Sequence, residues 1–227
     1  MEAKTYVVSV GISHYKNINS LVLPDKDAKS ISNLYKQKTK DVILITGKYA
    51  TKEKILKSLR DQFARASSND MIIFYFSGHG YPGGICPYDM TNDIRTGLSY
   101  KEIKAILKKS KAKNKIIIAD ACFSGGLRVG TQSSGSANND KDKSVILFLS
   151  SRSNETSGEN TLLSNGFFTK ALIRGLKGGA DENRDKLITA KEIFTFVSTD
   201  VQKKTKNEQH PVMWGKFDDN FVLMDWR

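Results

Sequence analysis

Met71-Ile-Ile-Phe-Tyr-Phe76 is an unbroken apolar run that passes directly into Ser77-Gly-His-Gly80. A strand that is apolar on both faces must be covered on both faces, as in a parallel sheet packed between helices. Four other runs read the same way: Tyr6-Val-Val-Ser-Val-Gly-Ile12, Asp41-Val-Ile-Leu-Ile45, Lys115-Ile-Ile-Ile-Ala119 and Ser144-Val-Ile-Leu-Phe-Leu149. Amphipathic segments separate them. Asp25 to Lys38 carries Ala28, Ile31, Leu34 and Tyr35 at helical spacing. Thr51 is a suitable N-cap for a helix with Ile55, Leu56, Leu59 and Phe63, and Ser99 with Glu102 forms a capping-box pattern. Two more helices are expected, from about Phe167 to Leu176 and from about Thr189 to Val201, with short extended pieces from Pro211 to Trp226. Strand and helix in alternation predict an α/β fold: a mostly parallel central sheet of about six strands, flanked by helices on both faces.

Composition narrows the function classes. A chain of 227 residues can bury one sizeable core, so one domain is expected over 1–227. From Gly125 to Lys143 large apolar residues nearly vanish, which reads as a loop inside that domain. No apolar run reaches the roughly 20 residues of a membrane span. Met1 to Lys4 lead straight into a strand-like segment without a signal-peptide cleavage site, so a cytoplasmic protein is expected. Cys86 and Cys122 are the two cysteines, too few for a disulfide framework and not spaced for zinc. The net charge of +12 raises the question of nucleic acid. The lysines are spread over several helices without an interleaved aromatic motif, which argues against that partner.

The chemistry lies where two apolar strands end in small-residue turns. One is Phe74-Tyr-Phe-Ser-Gly-His79-Gly80; the other is Ile116-Ile-Ile-Ala-Asp120-Ala-Cys122-Phe-Ser-Gly-Gly126. Ligands of open α/β sheets bind beyond the carboxyl ends of strands, so neighbouring strands would bring His79 and Cys122 to one edge. A cysteine attacks as the thiolate, and an adjacent imidazole lowers its pKa and later protonates the leaving amine. The backbone N–H groups of Gly80 and Cys122 are candidate oxyanion donors. Taken singly, a cysteine after a buried strand is more often an inert core residue, and a histidine in a turn is more often a surface one. Their joint placement favours catalysis. Cys86, in the Gly-rich turn after His79, reads as structural.

Ser77-Gly-His-Gly80 and Asp120-Ala-Cys-Phe-Ser-Gly-Gly126 closely resemble the His and Cys motifs of metacaspases and their prokaryotic relatives, about 40 residues apart as in caspase-like peptidases. The resemblance extends to Asp27-Ala28, Pro87-Tyr-Asp89 and Gly166-Phe-Phe-Thr-Lys-Ala171, nearly the whole chain. It implies a caspase–hemoglobinase fold with a large-subunit-like part (1–126), a mobile linker (127–143) and a small-subunit-like part (144–227). It also implies a cysteine endopeptidase that cuts after Arg or Lys, with Asp27 and Asp120 as the carboxylates that receive the P1 cation. Asp25 is the alternative to Asp27, and an Asp P1 preference is the alternative specificity. The family places a wall of the cleft where Ser150-Ser-Arg-Ser-Asn-Glu155 follows the fifth strand. Arg128, Lys141 and Lys143 in the linker are then candidate self-cleavage sites. Metacaspases are usually monomers, and a monomer is expected.

No cofactor is required by this chemistry, but many metacaspases use calcium, and here the pattern departs. Asp89 and Asp93 follow the histidine, yet no acidic residue follows Cys122 before Asp140. A second candidate, Asp181-Glu-Asn183-Arg-Asp185-Lys-Leu-Ile-Thr189-Ala-Lys-Glu192, has EF-hand-like spacing but Lys186 where the turn favours Gly. A metal-free helix-capping loop explains it better. Two non-enzymatic readings compete with the peptidase: an idle caspase-like scaffold, and a basic interaction module.

Overall fold

The computed structural model describes residues 3–81, 83–121, 145–150, 161–215 and 221–227. In chain order the elements are β1 (Thr5–Gly11), α1 (Pro24–Tyr35), β2 (Val42–Thr46), α2 (Lys52–Phe63), β3 (Met71–Gly78), β4 (Gly80–Tyr81), β5 (Gly84–Ile85), β6 (Leu98–Ser99), α3 (Tyr100–Lys109) and β7 (Asn114–Ala121). They continue with β8 (Val145–Leu149), α4 (Thr161–Arg174), β9 (Leu187–Thr189), α5 (Ala190–Lys204), β10 (Val212–Trp214) and β11 (Val222–Asp225). Six strands form one sheet in the order β10-β8-β7-β3-β1-β2, parallel except for β10. The α/β expectation and the six strands hold.

Alternation along the strands divides the core in two. Ile72, Phe74 and Phe76 of β3 face one layer, with Ile55 and Leu59 of α2 and Ile103 and Leu107 of α3. Ile73 and Tyr75 face the other, with Ile31 and Leu34 of α1, Phe168 and Leu172 of α4, and Ile193 and Val197 of α5. Each such side chain contributes roughly 1.5–3 kcal/mol by leaving water, which is why a strand apolar on both faces sits mid-sheet. The β7–β8 ladder, from Lys115↔Val145 to Ala119↔Leu149, joins the parts before and after 127–143 in one sheet. No described helix is long and apolar enough to cross a membrane.

Strand order sets the place for a site. The connection from β1 leads outward to β2, and the next crosses back over β1 to β3. The carboxyl ends of β1 and β3 therefore flank a topological switch point, where open α/β sheets hold their ligands. Helix α1 begins there with Pro24 in its first turn, a residue already set for helical φ. It lies so close to β1 that a Cβ at Gly11 would collide with the Pro24 carbonyl.

Candidate active site

Strand β3 does not stop at Phe76. Its ladder with β7 continues through Ser77↔Asp120 to Gly78↔Ala121, so these polar residues lie within strands rather than after them. At Gly78 a Cβ would stand 2.5 Å from the Tyr15 hydroxyl, so only glycine lets the loop after β1 close over this strand. That hydroxyl accepts the His79 backbone N–H at 2.7 Å, and the two rings tilt at 46° with centroids 5.1 Å apart. Nε2 of His79 lies 2.9 Å from the Asn19 carbonyl. A carbonyl can only accept, so Nε2 carries the proton and Nδ1 keeps the basic lone pair. Half-burial pushes the imidazole pKa down, while the Asn19 bond pulls it up.

Beyond His79 the chain forms the small β4-β5-β6 sheet. The Cys86 N–H donates to the His79 carbonyl at 2.9 Å, and Gly80 faces Ile85 as the next pair. Bonded and non-bonded pairs alternate in an antiparallel ladder, so the Gly80 N–H is directed away from β5. Strand β7 ends at Ala121, one residue before Cys122. Cys122 lies outside the described residues, as do Arg128, Lys141, Lys143 and the Ser151–Glu155 part of the expected cleft wall.

Asp27 and Asp120 come together on the α1–α4 face of the sheet. Asp27, in the first turn of α1, is buried and takes a long 3.4 Å contact from the Ser77 hydroxyl. Asp120 is fully buried. Its Oδ2 accepts the Thr169 hydroxyl at 2.6 Å and the Thr169 N–H at 3.3 Å, while Oδ1 has no hydrogen-bond partner among the described residues. Burial disfavours the charged form of both groups. It pushes Asp27 up to about 7, against smaller opposing effects of Ser77, Lys170 and Lys26. Burial and the neighbouring Asp27 charge push Asp120 well above the carboxylate range, with Thr169 and Ser150 opposing. Asp25 is engaged elsewhere: its Oδ1 accepts the Ser13 N–H at 2.9 Å, and its own N–H donates to the Ser13 hydroxyl at 3.0 Å. Asp27 is thus the carboxylate beside Asp120.

The remaining candidates are already occupied. Asp89 accepts the Lys52 N–H, and Asp93 caps its own turn and pairs with Arg95. Cys86 is a buried free thiol whose pKa burial pushes up to about 12, which disfavours the reactive thiolate. In the 181–192 loop, Asp181 accepts the Asp185 and Lys186 N–H groups, Asp185 accepts that of Leu187, and Glu192 closes a capping box with Thr189. Lys186 takes φ +65°, the left-handed turn in which a side chain is strained. Among the described residues no cluster of three or more His, Cys, Asp or Glu is arranged to hold a metal.

Three participants went unread in the sequence. The Asn19 carbonyl carries no side-chain signature. Tyr15 lies 64 positions from its partner His79. Thr169 did leave a trace, as a hydroxyl among the buried Phe168, Ala171 and Leu172 of α4, because a buried hydroxyl needs a partner.

Comparison with known proteins bears on this geometry. A search of curated proteins finds no match. Among solved structures, protein GSU0716 from Geobacter sulfurreducens superposes with a TM-score of 0.70 at 17% identity, covering 98% of each chain. Identity that low speaks for the fold alone. The family model of the caspase domain, a peptidase family, matches residues 4–222. That match spans both strand ends and both sides of the 127–143 segment, and the chain belongs to the caspase-domain family of cysteine peptidases.

Proposed function

We propose that this chain is an endopeptidase in which Cys122 is the nucleophile and His79 the base, and that it cuts after Arg or Lys in protein and peptide substrates. The observation that carries the basic preference is the pair Asp27 and Asp120: two buried carboxylates with no ion-paired Lys or Arg among the described residues. Buried charge without a counter-ion is costly. A P1 guanidinium or ammonium, in bidentate contact for Arg, would remove that cost.

The chemistry uses the chain's own groups. Nδ1 of His79 takes the Cys122 thiol proton, and the sulfur attacks the scissile carbonyl carbon. Negative charge moves to the carbonyl oxygen, where the Gly80 and Cys122 N–H groups are the candidate donors. The tetrahedral intermediate collapses, the C–N bond breaks, and imidazolium gives its proton to the leaving amine. Water then adds to the thioester with His79 as base, releasing the acid and restoring the thiol. The tautomer set by Asn19 supports His79 in this part. One domain, a monomer and a cytoplasmic setting complete the reading, with self-cleavage at Arg128, Lys141 or Lys143 as a further outcome of the same specificity.

A fluorogenic panel varying P1 tests it. Wild type should cleave Arg and Lys substrates, and Cys122→Ala and His79→Ala should each lose at least about a thousandfold in kcat. Cleavage confined to Asp substrates would sink the basic preference; full activity in Cys122→Ala would sink the nucleophile. Mass spectrometry of wild type beside Cys122→Ala reads self-cleavage, and added millimolar calcium should leave the panel unchanged.

A further inference from the structure

We propose that Thr169 is the positioning residue of the Asp27–Asp120 pocket, holding Oδ2 of Asp120 so that Oδ1 is the atom left to meet the P1 cation. This rests on the basic P1 reading and goes one residue beyond it. Thr169 comes from α4, across the sheet face from β7, and is 1% exposed. Both of its donors, backbone and side chain, converge on the same carboxylate oxygen. Its hydroxyl has a single proton, and that proton goes to Asp120. The Tyr75 hydroxyl, 2.6 Å from Thr169 Oγ1, must therefore be the donor in that second bond. The chain Tyr75→Thr169→Asp120 is polarised in one direction, each bond strengthening the next.

Such an arrangement has two effects. A carboxylate tethered through one oxygen cannot rotate, so the other oxygen holds a defined place; Oδ1 is the buried atom that finds no partner among the described residues. Donors to a carboxylate also favour its charged form. Thr169 thus opposes burial and keeps Asp120 more readily ionised for a cationic side chain.

The groups that share this space define what titrates. Asp27 and the more distant Lys26 come from α1, Tyr75 and Ser77 from β3, Asp120 from β7, Ser150 from the end of β8, and Thr169 and Lys170 from α4. The two aspartates are the carboxylates of the set. Binding of an Arg substrate should weaken as pH falls and the pair takes up protons. Any loss of donors at Asp120 should move that acid limb to higher pH.

The test is steady-state kinetics against pH, with an Arg P1 peptide, on wild type, Thr169→Val, Thr169→Ser and Tyr75→Phe. Valine keeps the shape and removes the hydroxyl. Thr169→Val should raise KM about tenfold with kcat within about threefold, and shift the acid limb of kcat/KM to higher pH. Thr169→Ser should restore both, and Tyr75→Phe should move both in the same direction by less. A purely structural role for Thr169 would not move the acid limb. Wild-type KM and an unmoved limb in Thr169→Val overturn the inference while the basic P1 reading stands. If Thr169→Val fails to fold, Tyr75→Phe decides, and wild-type values there overturn it. A wild-type enzyme that refuses Arg and Lys substrates overturns the basic reading and this inference with it.

Discussion

Two carboxylate clusters stand in contrast. Asp27 and Asp120 are buried against the sheet, with an Oδ1 that has no partner among the described residues. Asp181, Asn183, Asp185 and Glu192 lie at the surface, where the loop's own N–H groups meet their oxygens. The second cluster follows a known metal-loop pattern in its spacing, but Lys186 stands where the turn favours Gly. The physical environment likewise ranks it below the buried pair. Oxygens that already accept backbone N–H groups in contact with water gain little from a ligand. Carboxylates held away from water, with burial pushing both pKa values up, gain a great deal from a cation.

The largest expected effect tests that ranking directly. Asp120→Ala should lower kcat/KM for Arg substrates on the order of a thousandfold, and Asp181→Ala should change it less than about twofold. Equal effects in the two variants would erase the contrast. A second effect is on stability. Asp27 holds its proton to about pH 7 in the folded state, against 3.8 ordinarily. The stability this contributes is present in full below about pH 4 and is lost as pH rises through 7, because the unfolded chain ionises first. Asp27→Asn removes this dependence. Urea denaturation should find it gaining on wild type between pH 5 and pH 8, by about 3 kcal/mol; parallel curves would show that Asp27 is not held protonated.

Smaller effects belong to the surface loop. Asp181→Ala leaves two backbone N–H groups to water and should cost about 1 kcal/mol, read as a lower denaturation midpoint with unchanged kinetics. Lys186→Gly relieves the left-handed turn but loosens the unfolded chain, for a net gain of about 0.5 kcal/mol. A thermal melt checks it, and a loss would mean that the Lys186 side chain contributes more than its backbone strain costs.

The layers of the fold were legible because burial on two faces writes itself into composition. The apolar runs marked β1, β2, β3, β7 and β8, and the caps Thr51 and Ser99 marked where α2 and α3 begin. The strand ends were less legible. Read by hydrophobicity, β3 stops at Phe76 and β7 at Ala119, yet both ladders run on through Ser77 and Asp120. Those polar residues stay in the sheet because α1 and α4 supply partners that a local pattern does not contain. The pieces β4, β5, β6 and β9, two or three residues each, are too short to show a period.

The sequence by itself determined which candidate groups exist and where along the chain they stand: His79 after the β3 run, Cys122 after the β7 run, Asp27 at the start of a helix. Side-chain type and hydrophobic spacing carry that information locally. Only the tertiary structure decided how those groups are held. The Asn19 carbonyl that sets the His79 tautomer is a main-chain atom that every residue possesses. The Thr169 hydroxyl that tethers Asp120 arrives from a helix 49 positions away. Main-chain acceptors look alike in every sequence, and a hydroxyl on a buried helix face shows along the chain that it needs a partner but not which one, because contacts across a sheet depend on packing.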